Sequence, residues 1–228
     1  MKKQLLFIFL IAMATVNYAQ TFGGSFMLGY PQGEFRSNVN QMGYGVSLEG
    51  TLWAPSKERP FTIGLHAGYL VYGEVSERRA WSDFPGIYLN LNRTNSMANL
   101  HLLLKVSPFF GTVRPYAEGL FGGNYIFTTS TVRNENGNQE VASSTNFDDF
   151  TWSYGGSAGI LFKIADNLEN VSALYLDVKG QYLFGTEAEY LTEESVFVNS
   201  LGKTIFQPRK SKTDFFTFQI GIIAYFNL

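Results

Sequence analysis

The sequence predicts an all-β fold: an eight-stranded antiparallel up-and-down transmembrane β-barrel, preceded by a cleaved signal peptide. Three observations carry that prediction. An export signal opens the chain, apolar residues alternate with polar or small ones through eight segments, and the connections between segments alternate between short and long. Composition agrees with it. The 228 residues include 23 Gly, 21 Phe and 13 Tyr, no Cys, and a net charge of −2. Aromatic and glycine richness at moderate hydrophobicity is ordinary for a barrel with aromatic girdles. The lack of cysteine excludes a disulfide scaffold, thiol catalysis and thiolate zinc sites. No basic block stands out, which argues against nucleic acid as a partner.

The first segment, MKKQLLFIFLIAMATVNYAQ, has a basic start at Lys2 and Lys3, an apolar run from Leu5 to Val16 and a small residue at Ala19. That is the order of a secretory signal peptide, with cleavage expected after Ala19. Residues 1–19 are then removed, and 20–228 form the barrel domain. The apolar run falls short of the roughly 20 residues a helix needs to span a bilayer. No other run approaches that length, so any later membrane contact must be made by strands.

Eight segments follow, each with a period of two. In TFGGSFMLGY, Phe22, Phe26, Leu28 and Tyr30 oppose Thr21, Gly23, Ser25 and Gly29. In GYGVSLEGTLW, Tyr44, Val46 and Leu48 oppose Gly45, Ser47 and Glu49; in FTIGLHAGYLVY, Ile63, Leu65 and Tyr69 oppose Thr62, Gly64 and His66. MANLHLLLKV sets Leu100, Leu102 and Leu104 against His101, Leu103 and Lys105, and YAEGLFGGNYIFT sets Phe121 and Tyr125 against Glu118 and Asn124. WSYGGSAGILFK, LYLDVKGQYLF and TDFFTFQIGIIAYFNL complete the set. There, Lys163, Asp177, Lys179, Gln219 and Gly221 fall on the polar side, and Phe226 and Leu228 on the apolar side. No segment sustains a 3.6-residue period, so no helix is expected after the signal. Every proline falls between segments or at a strand start, where a missing backbone donor does least harm.

Alternation alone does not distinguish a barrel that is apolar inside from one that is apolar outside. The export signal, the strand lengths of ten or more residues, the asymmetric connections and the aromatic rings near the long loops favour a membrane barrel. Energetics point the same way. The polar face carries Glu49, His66, His101, Lys105, Glu118, Lys163, Asp177 and Lys179. On lipid, a lysine near the midplane would cost roughly 2–4 kcal/mol, whereas in the lumen acids and bases can pair. Glu49, Glu118 and Asp177 are therefore expected to pair with Lys105, Lys163 and Lys179 in a network that closes the interior, with His66 and His101 beside them.

The stretch QIGIIAYF followed by NL resembles the closing strand of outer-membrane barrels, with Gln219, then Gly221, then apolar positions up to Phe226 and Leu228. That resemblance implies recognition by the barrel assembly machinery. As a whole, the mature chain resembles small eight-stranded outer-membrane barrels of the OmpA/OmpX type. GYPQGEF after the first strand is similar to a stretch in the outer-membrane barrel proteins of Bacteroidota. The resemblance implies the outer membrane of a Gram-negative bacterium, with outer-membrane lipid as surroundings.

Chemistry is sparse. His66 and His101 fall side by side on neighbouring strands, with Glu49 and Glu118 at a similar height, which could make a metal site or, with Ser47, a hydrolytic centre. A lumen filled by hydrogen-bonded side chains explains the same residues more simply, because eight strands leave an interior that side chains just fill. Outer-membrane lipid A deacylases and palmitoyltransferases need a His and Ser facing lipid, but both histidines here carry the inward phase. The last long loop holds Glu187, Glu189, Glu193 and Glu194, then Lys203, Arg209, Lys210 and Lys212. It lacks EF-hand spacing and reads as a solvated, mutually compensating loop. Asn134–Gln139, with its Asn-Gly pair, reads as a loop tip. The expectation is a non-enzymatic barrel, without metal or cofactor, whose long loops bind an envelope or extracellular partner. A narrow pore, or an accessory barrel of a type IX-like secretion complex, are the alternatives.

Overall fold

The computed structural model describes residues 20–80, 88–134, 140–198 and 204–226. The expected signal peptide, the loop-tip residues 135–139, Lys203 and Leu228 lie outside these. Eight antiparallel strands close into one barrel: β1 (Thr21–Pro31), β2 (Gly43–Thr51), β3 (Phe61–Ala80), β4 (Tyr88–Val106), β5 (Val113–Asn134), β6 (Glu140–Leu168), β7 (Val171–Gly185) and β12 (Phe215–Phe226). Between β7 and β12 run β8 (Glu187–Tyr190), β9 (Val196–Val198), β10 (Thr204–Phe206) and β11 (Arg209–Lys212), paired as β8–β11 and β9–β10. Closure comes from β12 against β1, in register from Tyr225 opposite Thr21 to Phe215 opposite Pro31. Each barrel strand thus has a partner on both sides, which a hydrocarbon environment requires.

The wall is apolar outward. Along β4, Leu100, Leu102 and Leu104 are 50–59% exposed, while His101, Leu103 and Lys105 are at most 3% exposed. Phe26, Val46, Leu65, Phe121, Ile160, Phe218 and Ile220 continue that exposed belt around the barrel. An apolar surface of such extent is incompatible with water and is the lipid face of a transmembrane barrel. Aromatic pairs cluster toward the rim of the long connections: Tyr30 with Phe216, Tyr154 stacked on Phe184 and Phe121 stacked on Trp152. At the opposite rim Trp53 meets Phe61, with the Arg59 guanidinium over its ring.

Two expectations are corrected. The segments read as long loops continue largely as strand: β3 and β4 stay paired from Gly73–Asn95 to Ala80–Tyr88, and β5 and β6 to Arg133–Glu140. Alternation vanishes there because both faces of a sheet beyond the bilayer meet water. Register shifts at Val71/Gly73 and Thr128/Thr129 mark where the four strands leave the barrel wall. The second correction is a helix, α1 (Gly33–Asn38), entered through Gly33 at φ +52° and closed by Val39 N–H on the Phe35 carbonyl at 2.8 Å. Six residues are too few to show a period or to hold as a helix alone. Burial of Phe35 holds it, with its ring at 5.5 Å from Tyr72, 4.9 Å from Tyr190 and 6.0 Å from Phe215.

Candidate functional site

The interior is built in layers. At the mouth beneath the long loops, Phe35 sits among Tyr72, Tyr190, Phe215, Leu70, Met97 and Met27. Asn38 Nδ2 donates to the Tyr190 hydroxyl at 2.9 Å, and that hydroxyl lies 2.6 Å from Ser211 Oγ, which ties α1 to the β8–β11 hairpin.

Below this plug lies a polar layer. The Ser47 hydroxyl donates to Gln219 Oε1 at 2.9 Å, and Gln219 Nε2 reaches Thr217 Oγ1 at 2.9 Å and Gln181 Oε1 at 3.3 Å. His66 and His101 are cross-strand partners with ring centroids 6.2 Å apart, both fully buried. His101 Nε2 lies 2.6 Å from Ser153 Oγ, whose proton goes to Asn124 Oδ1 at 3.1 Å. Ser47, the serine weighed for a hydrolytic centre, is held by Gln219 and not by a histidine. Among the described residues, no three His, Asp or Glu side chains converge as metal ligands.

The charged layer comes next, toward the short turns. Glu49 on β2 receives Lys105 Nζ of β4 on Oε1 at 2.6 Å and Lys179 Nζ of β7 on Oε2. Lys105 also stands 2.9 Å from Glu118 Oε1 on β5, its cross-strand partner, and 4.4 Å above the Tyr116 ring. The Ser157 hydroxyl donates to Glu118 Oε2, and Tyr116 donates to Asp177 Oδ1 at 2.5 Å. All five charged side chains are at most 4% exposed. Parity brings them to one face, and barrel closure brings β2, β4, β5 and β7 within reach of one another.

Lys163 does not join them, contrary to the sequence expectation. It has the inward phase but lies past the closed part of the wall, beside the register shift at Lys163/Ala165, and pairs with Asp166 at 3.3 Å in partial contact with water. Beneath the charges Tyr116, Tyr175, Tyr225, Leu161 and Ile223 fill the short-turn rim, with Arg114 over the Tyr175 ring at 4.7 Å. Tyr116 and Tyr175 escaped the sequence reading. Their signal was available in the same parity, since Tyr116 and Tyr175 sit two residues from Glu118 and Asp177.

Elsewhere, Gly221 faces Ser25 of β1, and Phe226 has the lipid-facing phase of Ile220 and Ile222. In the last loop Glu187 and Lys210 pair at 3.3 Å, Glu189 and Lys210 are cross-strand partners, and Gln41 Nε2 donates to Glu193 Oε1 at 2.5 Å. That loop is largely a β-hairpin capping the mouth.

No protein-family model and no curated protein matches this chain. Similar solved structures include Neisserial surface protein A, at 10% identity over 90% of this chain and 96% of that one, with a TM-score of 0.45. Ail, the attachment invasion locus protein of Yersinia pestis, aligns at 10% identity over 90% and 94% of the two chains, with a TM-score of 0.32. Ail in complex with the heparin analogue sucrose octasulfate aligns at 11% identity over the same shares, with the same score.

Proposed function

We propose that this chain is a non-enzymatic outer-membrane barrel of a Gram-negative bacterium whose sheet beyond the bilayer binds a partner in the envelope or outside the cell. The observation that carries the reading is the division of labour along β3–β6. Their lower halves complete a wall whose interior is occupied by the layers described above, and their upper halves project past the apolar belt as a paired sheet. A filled interior leaves transport without a route, so the projecting surface is where specificity can reside. The described residues of that surface are rich in Ser, Thr, Asn and charged side chains, from Glu74 to Arg78, from Asn90 to Asn95, from Thr128 to Arg133 and from Ser143 to Asn146, a composition suited to polar recognition. The leader at 1–19 and the closing strand around Gln219, Gly221 and Phe226 support export and delivery to the barrel assembly machinery.

The test trims both hairpins to the level of the barrel wall, removing 74–94 and 130–145, and compares crosslinked adducts in native membranes. Full-length protein should fractionate with the outer membrane and form discrete adducts that the trimmed, still heat-modifiable barrel lacks. Identical adducts from both proteins, or recovery as a soluble periplasmic monomer, would refute the proposal.

A further inference from the structure

The outer wall beneath the first connection is furrowed. The chain leaves β1, turns through α1 and re-enters the wall as β2. Between that connection and the wall lies a cavity of about 500 Å³. Tyr30, Phe216 and Phe218 form its apolar side, and Gln32, Arg36 and Asn40 stand at its polar rim. A second cavity, of about 460 Å³, continues down the wall over Leu28, Val46 and Ile220. Phe218 lines both, so the two meet in one furrow on the lipid face. The cross-strand pairs Tyr30–Phe216, Leu28–Phe218 and Phe26–Ile220 step down it in order.

The upper end carries an uncompensated cation. Arg36 is exposed, and its guanidinium makes no hydrogen bond or ion pair among the described residues. Acids that touch this connection are engaged elsewhere. Glu34 Oε2 accepts Lys212 N–H at 3.2 Å, and Glu193 Oε1 accepts Gln41 Nε2 at 2.5 Å. Among the described residues, no acid lines either cavity. A guanidinium offers a planar fork of donors that matches a phosphate bidentately, and such a pair gains strength beside a medium of low dielectric constant.

The lower end asks for hydrocarbon. From Tyr30 to Phe26 the furrow follows four residues of β1, roughly 13 Å of strand. At a tilt of about 45° that is roughly 9 Å of depth, within the ~15 Å that one leaflet contributes to the bilayer core. Each cavity falls in the range of about 300–1,000 Å³ typical of small-ligand sites. We propose that the furrow binds a phosphate-bearing lipid of the surrounding leaflet. Arg36 takes the headgroup phosphate, and one acyl chain runs past Phe218 along Leu28, Val46 and Ile220. The proposal rests on the reading of the chain as a membrane barrel and adds to it one selected lipid. A soluble phosphate would occupy the upper cavity alone and leave the apolar one below it unused.

Native mass spectrometry tests this, with the full barrel released from detergent micelles doped equally with dioleoyl phosphatidic acid and dioleoyl phosphatidylcholine. Phosphatidic acid presents an exposed phosphate, whereas the choline of the second lipid compensates its phosphate internally. The expected result is one phosphatidic acid retained per barrel, in about tenfold or greater excess, as a charge-assisted hydrogen bond supports. Arg36→Ala should bring that ratio to about one, and Arg36→Lys should keep part of it. Val46→Trp, which fills the lower cavity, should lower retention of phosphatidic acid while Arg36 stays in place. All three side chains point outward, so the variants should remain heat-modifiable. Equal retention of the two lipids by wild type, or a preference that survives Arg36→Ala, overturns the proposal. So does displacement of phosphatidic acid by an equal amount of inorganic phosphate, or a lipid-free dimer in which a second copy covers the furrow. A wild-type chain that never becomes heat-modifiable would overturn the barrel reading as well; a heat-modifiable one without lipid preference overturns this proposal alone.

Discussion

Glu118 shows how much a single inward residue depends on its neighbours. It is the second carboxylate on Lys105 at 2.9 Å, it accepts the Ser157 hydroxyl, and Lys179 stands 3.8 Å away. Glu118→Ala leaves two ammonium groups with Glu49 and the more distant Asp177, 3.9 Å from Lys179, and orphans Ser157. Breaking a buried pair from one side costs about 3–5 kcal/mol, since the remaining charge stays desolvated. The expected outcome is a lower unfolding midpoint in urea for the lipid-reconstituted barrel, with Glu118→Gln intermediate; an unchanged midpoint would mean that water reaches the cluster. Parity in the sequence was sufficient to place Glu49, Lys105, Glu118, Asp177 and Lys179 on one face. It misplaced Lys163, because parity reports direction and not height, and at the rim an inward-pointing residue meets water. Pairing between distant strands is equally invisible to it, which is why the sixth charge seemed necessary for balance.

At the scale of elements, alternation is legible only where the two faces of a strand meet different solvents. It therefore revealed the membrane halves of β3–β6 and missed their projecting halves, and it missed α1, which is held by one buried ring. The closing pair of β1 and β12 was readable from QIGIIAYF, and its glycine has a specific reason. A Cβ on Gly221 would overlap the Gly24 carbonyl and Ser25 of β1. Gly221→Val forces that backbone apart at the seam, and overpacking of this kind costs about 1–3 kcal/mol or more. Expected is a smaller heat-modifiable fraction on refolding into lipid, with Ile222→Val on the lipid face as a nearly neutral control. Equal folding of the two variants would show that the seam tolerates the displacement.

For the whole molecule the question is whether the barrel conducts. The three layers lie in series: an aromatic plug centred on Phe35, a polar and charged middle, and the Tyr116–Tyr175–Tyr225 rim. Opening one leaves the others in place. Wild-type protein in planar bilayers should therefore show little or no steady conductance, and neither Phe35→Ala nor Glu118→Ala should create one. Phe35→Ala should instead loosen the mouth, since truncating a buried Phe costs about 3–5 kcal/mol, and α1 has too few residues to persist without its anchor. Protease sensitivity between Gly33 and Met42, at unchanged heat modifiability, is the readout for that loosening. A large, stable, ion-selective conductance from wild type would mean that Lys105, Lys179 and the carboxylates line a hydrated channel. Conductance appearing only in Phe35→Ala would make α1 a gate, with the charged layer below it permeable to ions. Silence from all three proteins leaves the projecting sheet as the part of the molecule that meets other molecules.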